Sequence, residues 1–182
     1  PILDMTVKYD VLSGSRKGVA KINAAIKDTA DFLVYWGTNS YASVDDSSVE
    51  RSEKTGMYNI MNADVSVKYA DKKYISYLSS VKVVTSAVYP IETKQSGIFD
   101  LDSGAIVSLD KLLPDKEAVL SQAAEKFNAL IEKNPDIYFP DAKIDMNETY
   151  YYLTEKGIVF GFNKQVIAPY ATGFVEVEVP LK

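Results

Sequence analysis

Two side chains that dominate enzyme chemistry, His and Cys, are absent from this 182-residue sequence. Ser-His-Asp and Cys-His systems therefore lack their base, thiol chemistry lacks its sulfur, and zinc lacks its usual ligands. Paired carboxylates, Lys or Tyr, and hard-metal chemistry on oxygen remain. The best carboxylate pair is Glu176 and Glu178, since a glycosidase needs two carboxyl groups roughly 5 to 10 Å apart in a cleft. Period-two spacing puts both on one strand face opposite Val175, Val177 and Val179, the pattern of a solvated face. Asp100-Leu101-Asp102-Ser103-Gly104 offers two carboxylates to a calcium ion. It lacks a third oxygen ligand before the Gly, however, and has Lys111 where an EF-hand places its bidentate Glu, so a plain β-turn is expected. Gly14-Ser15-Arg16-Lys17-Gly18 lacks phosphate-loop spacing, and Ser15 reads better as a helix N-cap. Asn147-Glu148-Thr149 is a glycosylation sequon only in form, relevant to a eukaryotic secretory pathway. No catalytic residue, metal or cofactor is expected.

Aromatic residues carry the remaining signal. The chain has 13 Tyr, with a run at Tyr150-Tyr151-Tyr152. Tyr combines a flat apolar ring with a polar tip, which suits stacking on sugars or anchoring a protein interface, and it is also a good strand former. Pro169 fixes φ and Gly173 permits a sharp turn, so Tyr170 is held rigidly between them. It is either an anchor or a structural corner whose hydroxyl bonds to backbone. Tyr89, Tyr150, Tyr170 and Phe174 are the candidate ligand-binding residues.

Net charge is −5, which argues against nucleic acid as the main partner. Residues 1–91 hold 11 basic and 10 acidic groups and residues 92–182 hold 9 and 15, so the second half carries the acidity. A cationic partner meets a favourable field there, and solubility alone also explains it. No apolar run approaches the roughly 18 residues of a membrane span. Pro1 follows no Met and no export signal precedes it, so the sequence reads as trimmed, with a membrane connection only through an anchor outside it.

One compact domain of 182 residues is expected, its halves 1–91 and 92–182 sharing a core. Ile2 to Leu12 reads as a strand. Val19, Ile22, Ile26, Ala30 and Leu33, at spacings of three and four, place one apolar stripe on a helix ending near Gly37. Residues 38–56 are polar, either a long loop or a helical extension over Ser47 to Lys54. Alternation then predicts a hairpin through Val65, Val67 and Tyr69 and back along Tyr74 to Val84, followed by a strand from Tyr89 to Leu101. A turn of helix at Asp110 to Leu113 precedes a helix opened by Pro114-Asp115 and stopped by Asn134-Pro135. Thr149 to Leu153 and Ile158 to Phe162 flank a hairpin loop with Gly157 placed for positive φ, and Gly173 to Val179 is the last strand. The order is β-α-β-β-β then α-β-β-β, an α+β fold of mostly antiparallel sheets with two main helices packed on one face.

The C-terminal sequence resembles a known family. Tyr151-Tyr152-Leu153-Thr154-Glu155-Lys156-Gly157-Ile158-Val159-Phe160, then Phe162-Asn163, Val166 to Gly173 and Val175 to Pro180 are similar to the end of the RsiV-like extracytoplasmic domain. The likeness continues through Phe99-Asp100-Leu101, Leu109, Leu112, Leu113 and, near the N-terminus, Tyr9, Ser13-Gly14 and Lys21 to Ile26. That family includes the lysozyme-sensing part of certain anti-sigma factors and the accessory region of PdaC-like polysaccharide deacetylases. The resemblance implies a bacterial extracytoplasmic, surface-attached α+β domain that binds a lysozyme-like protein or peptidoglycan rather than transforming it. Where the family carries a Gly-Gly-Ala-His-Gly-like segment, this sequence has Ser86-Ala87-Val88-Tyr89-Pro90, bulkier and stiffer. The leading expectation is therefore a non-enzymatic ligand-binding or sensing domain. A carboxylate-based glycan hydrolase and a purely structural accessory module are the alternatives.

Overall fold

The computed structural model describes residues 3–42, 56, 59–85 and 89–181. Most of the polar segment 38–56, including Ser47 to Lys54, and residues 86–88 of the altered segment lie outside the described residues. The elements follow the predicted order: β1 (Leu3–Tyr9), α1 (Val19–Gly37), β2 (Asn59–Ala70), β3 (Tyr74–Val84), β4 (Ile91–Asp100), α2 (Leu109–Leu112), α3 (Lys116–Lys133), β5 (Tyr150–Leu153), β6 (Gly157–Phe162) and β7 (Val175–Pro180). They build an α+β fold of two sheets, one in the order β1-β2-β3-β4 and one in the order β5-β6-β7. Among the described residues the β1–β2 pairing is the one parallel pair, and α1 provides the crossover that it requires.

Each sheet buries one apolar face under a helix. On α1 the predicted stripe is buried at Val19, Ile22, Ile26, Ala30 and Leu33, and it packs over Met61, Ala63 and Val65 of β2 and Val81 and Val83 of β3. In the second sheet Ile158, Phe160 and Phe162 of β6 sit beside Val179, Val177 and Val175 of β7. Together these residues meet Ala123 and Phe127 of α3 in a second cluster. Ile98 of β4 is buried in that cluster, with Tyr69 and Tyr74 packed against it, so the two layers are joined through the first sheet's far face.

Local chemistry accounts for the element ends, with two corrections. The Asp115 side chain accepts the Ala118 N–H and starts α3. Ser15 caps nothing: the residue before α1 is Gly18, with no side-chain cap. A Cβ there would lie 2.3 Å from the Leu101 carbonyl oxygen, so Gly18 is required by close approach. Gly157 is likewise a matter of space rather than of positive φ, since its Cβ would lie 2.0 Å from the Val179 carbonyl oxygen. Gly173 does adopt a positive φ of 83°. The Asp100 turn consumes its own carboxylate, which accepts the Ser103 and Asp102 N–H groups and the Ser103 hydroxyl. Asp102 pairs with Arg16.

Candidate functional site

Strand β5 stands edge-on against the face of the first sheet that α1 leaves uncovered. The Tyr151 N–H donates to the Ser96 hydroxyl and the Leu153 N–H to the Ser76 hydroxyl. These serines lie on β4 and β3 on the face opposite the α1-facing Val81 and Val83. Small hydroxyl side chains on the sheet let the strand approach while satisfying edge N–H groups that burial would otherwise orphan. The outcome is a corner. One wall is the exposed face of the first sheet, and the other is the polar face of the second.

Register sets what lines that corner. Across the second sheet Tyr150 pairs with Gly161 and Gly161 with Glu176. Because Gly161 has no side chain, the Tyr150 ring lies over it; a Cβ there would meet ring atom Cζ at 2.3 Å. The Tyr150 hydroxyl thereby reaches Glu176 and donates to Oε1 at 2.6 Å. Tyr152, two residues along the same face, donates to Oε2 at 3.3 Å. Lys94 of β4 crosses the corner to Glu176 at 2.8 Å, with its ammonium 4.3 Å from the Phe174 ring centroid and 5.4 Å from that of Tyr150. The Asn163 amide fixes the Lys94 backbone: Oδ1 accepts its N–H and Nδ2 donates to its C=O.

A second knot lies one register step along β4. Glu92 accepts Lys164 at 2.6 Å, the Tyr170 hydroxyl at 2.9 Å and Lys82 at 3.4 Å. The Lys164 ammonium stands 4.1 Å above the Tyr170 ring and 5.4 Å from Phe174. Tyr89 stacks on Tyr170 with centroids 4.9 Å apart and planes 26° off parallel. Tyr89 is 57% exposed, so its outer surface is open to solvent. Beside this cluster runs an open groove of about 370 Å³, with Thr6, Lys8, Asn62, Asp64, Lys82 and Glu92 among its floor residues and Phe174 on its wall.

All four predicted aromatics thus converge. Tyr89 and Tyr170 stack at the surface and Phe174 lines the groove, whereas Tyr150 is 6% exposed and contacts Phe174 edge-on, so it supports its neighbours from beneath. Of the two readings of Tyr170, the backbone-bonded corner is not realised: its hydroxyl bonds the Glu92 carboxylate. Glu176 does not sit on a plain solvated face either, because it holds three donors, while Glu178 accepts the Thr154 hydroxyl. Sequence reasoning missed Lys82, Glu92, Lys94, Asn163 and Lys164. A signal existed in β4, where Glu92, Lys94 and Ser96 alternate with Thr93 and Gln95, leaving both faces of one strand polar.

The electrostatics are those of a preformed polar lattice. The hydrogen bond from Lys164 holds the Glu92 carboxyl below its ordinary value of 4.5, against the opposing effect of burial and with help from Tyr170. Burial pushes Glu176 up, but hydrogen bonds from Lys94 and Tyr150 outweigh it and hold that carboxyl low as well. Tyr150 is driven far above the phenol range by burial and by Glu176, and Tyr152 is pushed up to about 12 by the same two causes. Carboxyls depressed on folding stabilise the fold above their unfolded value and lose that contribution as pH falls through the folded one. Below pH 4.5 the melting temperature of the native chain is therefore expected to fall more steeply than that of an E92Q/E176Q variant. Parallel slopes in a pH series of thermal melts would show that neither carboxylate is coupled to folding.

Among the described residues no helix is long and apolar enough to cross a membrane, and no group of three or more carboxylates is placed to hold a metal. The class defined by fold and site is a two-sheet α+β domain with an aromatic and lysine-lined corner. Within it, residues 108–182, spanning α2 to β7, match the family described as "Protein of unknown function (DUF3298)". A solved member of that family from Bacteroides fragilis superposes with a TM-score of 0.62 at 18% identity, covering 90% of this chain and 68% of that one. A DUF3298 family protein from Pseudomonas aeruginosa PAO1 gives 0.62 at 15% identity, covering 88% and 75%. These likenesses concern the fold. No curated protein matches the chain.

Proposed function

We propose that the chain is a non-enzymatic, extracytoplasmic ligand-binding domain of the RsiV-like type, and that its corner site takes a cell-wall glycan. The carrying observation is the stacked Tyr89–Tyr170 pair, exposed on one side and braced by Lys164 and Glu92, beside a groove floored by hydroxyl, amide and charged groups. A sugar ring presents an apolar face to an aromatic and polar edges to such groups. The RsiV-like affiliation rests on the C-terminal motifs and agrees with the DUF3298 match. Extracytoplasmic placement follows from that affiliation.

A binding role is favoured over hydrolysis because Glu92 and Glu176 are both held ionised by their donors, whereas a glycosidase needs one carboxyl kept protonated as its acid. A cationic wall-degrading protein is the less favoured ligand, since lysines balance the carboxylates around this corner. Calorimetric titration of the chain with soluble peptidoglycan fragments, and separately with lysozyme, tests the reading. Fragment binding weakened about 3- to 10-fold by Tyr89→Ala is expected, the range that one aromatic contact supplies. Heat from lysozyme alone would transfer the site to a protein partner. Silence with both, or no effect of Tyr89→Ala, would overturn the proposal.

A further inference from the structure

Two registered rows cross the first sheet at the groove, all but Lys94 at the end of the second lining it. Thr6, Asn62, Lys82 and Glu92 are successive partners across β1 to β4, and Lys8, Asp64, Ser80 and Lys94 form the next row on the same face. Strands about 4.8 Å apart make each row about 14 Å long, an extended floor rather than a point site.

The donor and acceptor inventory of this floor is lopsided. Glu92 already receives Lys164, Tyr170 and Lys82, and Glu176 receives Lys94, Tyr150 and Tyr152. Their lone pairs are largely committed within the protein. The ammonium groups are not, because each Lys carries three N–H donors. Among the described residues Lys82 makes one ion pair, at 3.4 Å, and its side chain is 52% exposed. Lys8 is exposed and forms no ion pair among the described residues. Asp64 is the one floor carboxylate outside the two knots, and it lies beside Lys8 in register. A floor with spare ammonium and hydroxyl donors, and with every carboxylate but Asp64 committed, complements a ligand rich in acceptors and negatively charged, even in a chain whose net charge is −5.

From this geometry we infer that the groove selects an acidic saccharide. The ligand is a chain of sugar rings bearing carboxylates that meet Lys8 and Lys82, with one ring seated against the Phe174 wall. This rests on the glycan reading above and adds its charge. It makes the site a selector among glycans, with neutral chains held by the aromatic wall alone.

The test is titration of the full chain with tetragalacturonate and with chitotetraose at low and high salt. The expected result is tighter binding of the acidic chain, weakened by salt while the neutral one is little changed. In a Lys8→Gln/Lys82→Gln variant the ratio of acidic to neutral affinity is expected to fall by up to about fivefold for each exposed ion pair removed. Unchanged thermal melting would show that the variant is folded. Equal or tighter binding of chitotetraose, or an unchanged ratio in the variant, overturns the charge assignment and leaves the glycan reading standing. Absence of binding by either sugar overturns both. A polyol phosphate of matched length serves as a third arm, and its binding tighter than the carboxylate chain would overturn the carboxylate assignment.

Discussion

Replacing Phe127 with Ala is expected to lower the stability of the chain by about 3 to 5 kcal/mol. Phe127 is 0% exposed, on the face of α3 turned toward the second sheet, and it meets Phe162 of β6 edge-on at 4.8 Å. Its loss removes the transfer free energy of a whole ring and leaves a cavity among Phe160, Phe162 and Val177, which a close-packed core closes only in part. For a domain of this size the melting temperature should fall by roughly 6 to 20 °C. Phe32→Ala on α1 is the internal control. That ring is 60% exposed, so its removal is expected within about 0.5 kcal/mol of neutral. Chemical denaturation of both variants decides the matter: a Phe127→Ala loss below about 1 kcal/mol would mean that α3 is not seated on β6 as described.

Gly161→Ala is expected to disable the corner and strain the sheet together. The added methyl would sit 2.3 Å from Tyr150 Cζ and 2.5 Å from its hydroxyl oxygen. The ring must then leave its seat, which breaks the bond to Glu176 and withdraws support from Lys94 and Phe174. Overpacking a tight site costs about 1 to 3 kcal/mol, and the proposed glycan binding should weaken with it. The cause can be isolated because it is pairwise: in a Tyr150→Leu background the same Gly161→Ala change should cost markedly less. A double-mutant cycle reads that coupling directly. Additive losses would show that Gly161 is needed for a reason unrelated to Tyr150.

Why the elements were legible and the site only partly so follows from the kind of information each uses. The α1 stripe and the β6–β7 alternation are written in consecutive residues, because burial on one face imposes a local period. Tyr170 could be singled out from Pro169 and Gly173, which restrict and free the backbone beside it. The lysines could not. Lys94 and Lys164 lie far apart in sequence and acquire partners only when β5 stands on the first sheet, a contact made through Ser76 and Ser96, whose serines look like ordinary strand polar positions. Gly157 is ambiguous for a related reason: a tight turn and a close approach between strands both demand glycine, and the sequence does not say which. The same ambiguity made Ser15 look like a cap, when the start of α1 is governed by how near Leu101 comes to Gly18.

The clasp of Asn163 on Lys94 has a consequence for association. β4 is one of the two outer strands of its sheet, and such a border offers unpaired peptide groups to any passing strand. By holding both the N–H and the C=O of Lys94, one side-chain amide occupies the hydrogen-bonding place of a neighbouring strand. The β4 edge is closed at its middle without the addition of a residue of backbone. Beside an outward aromatic surface, that clasp leaves fewer free peptide groups for edge-to-edge pairing with another chain.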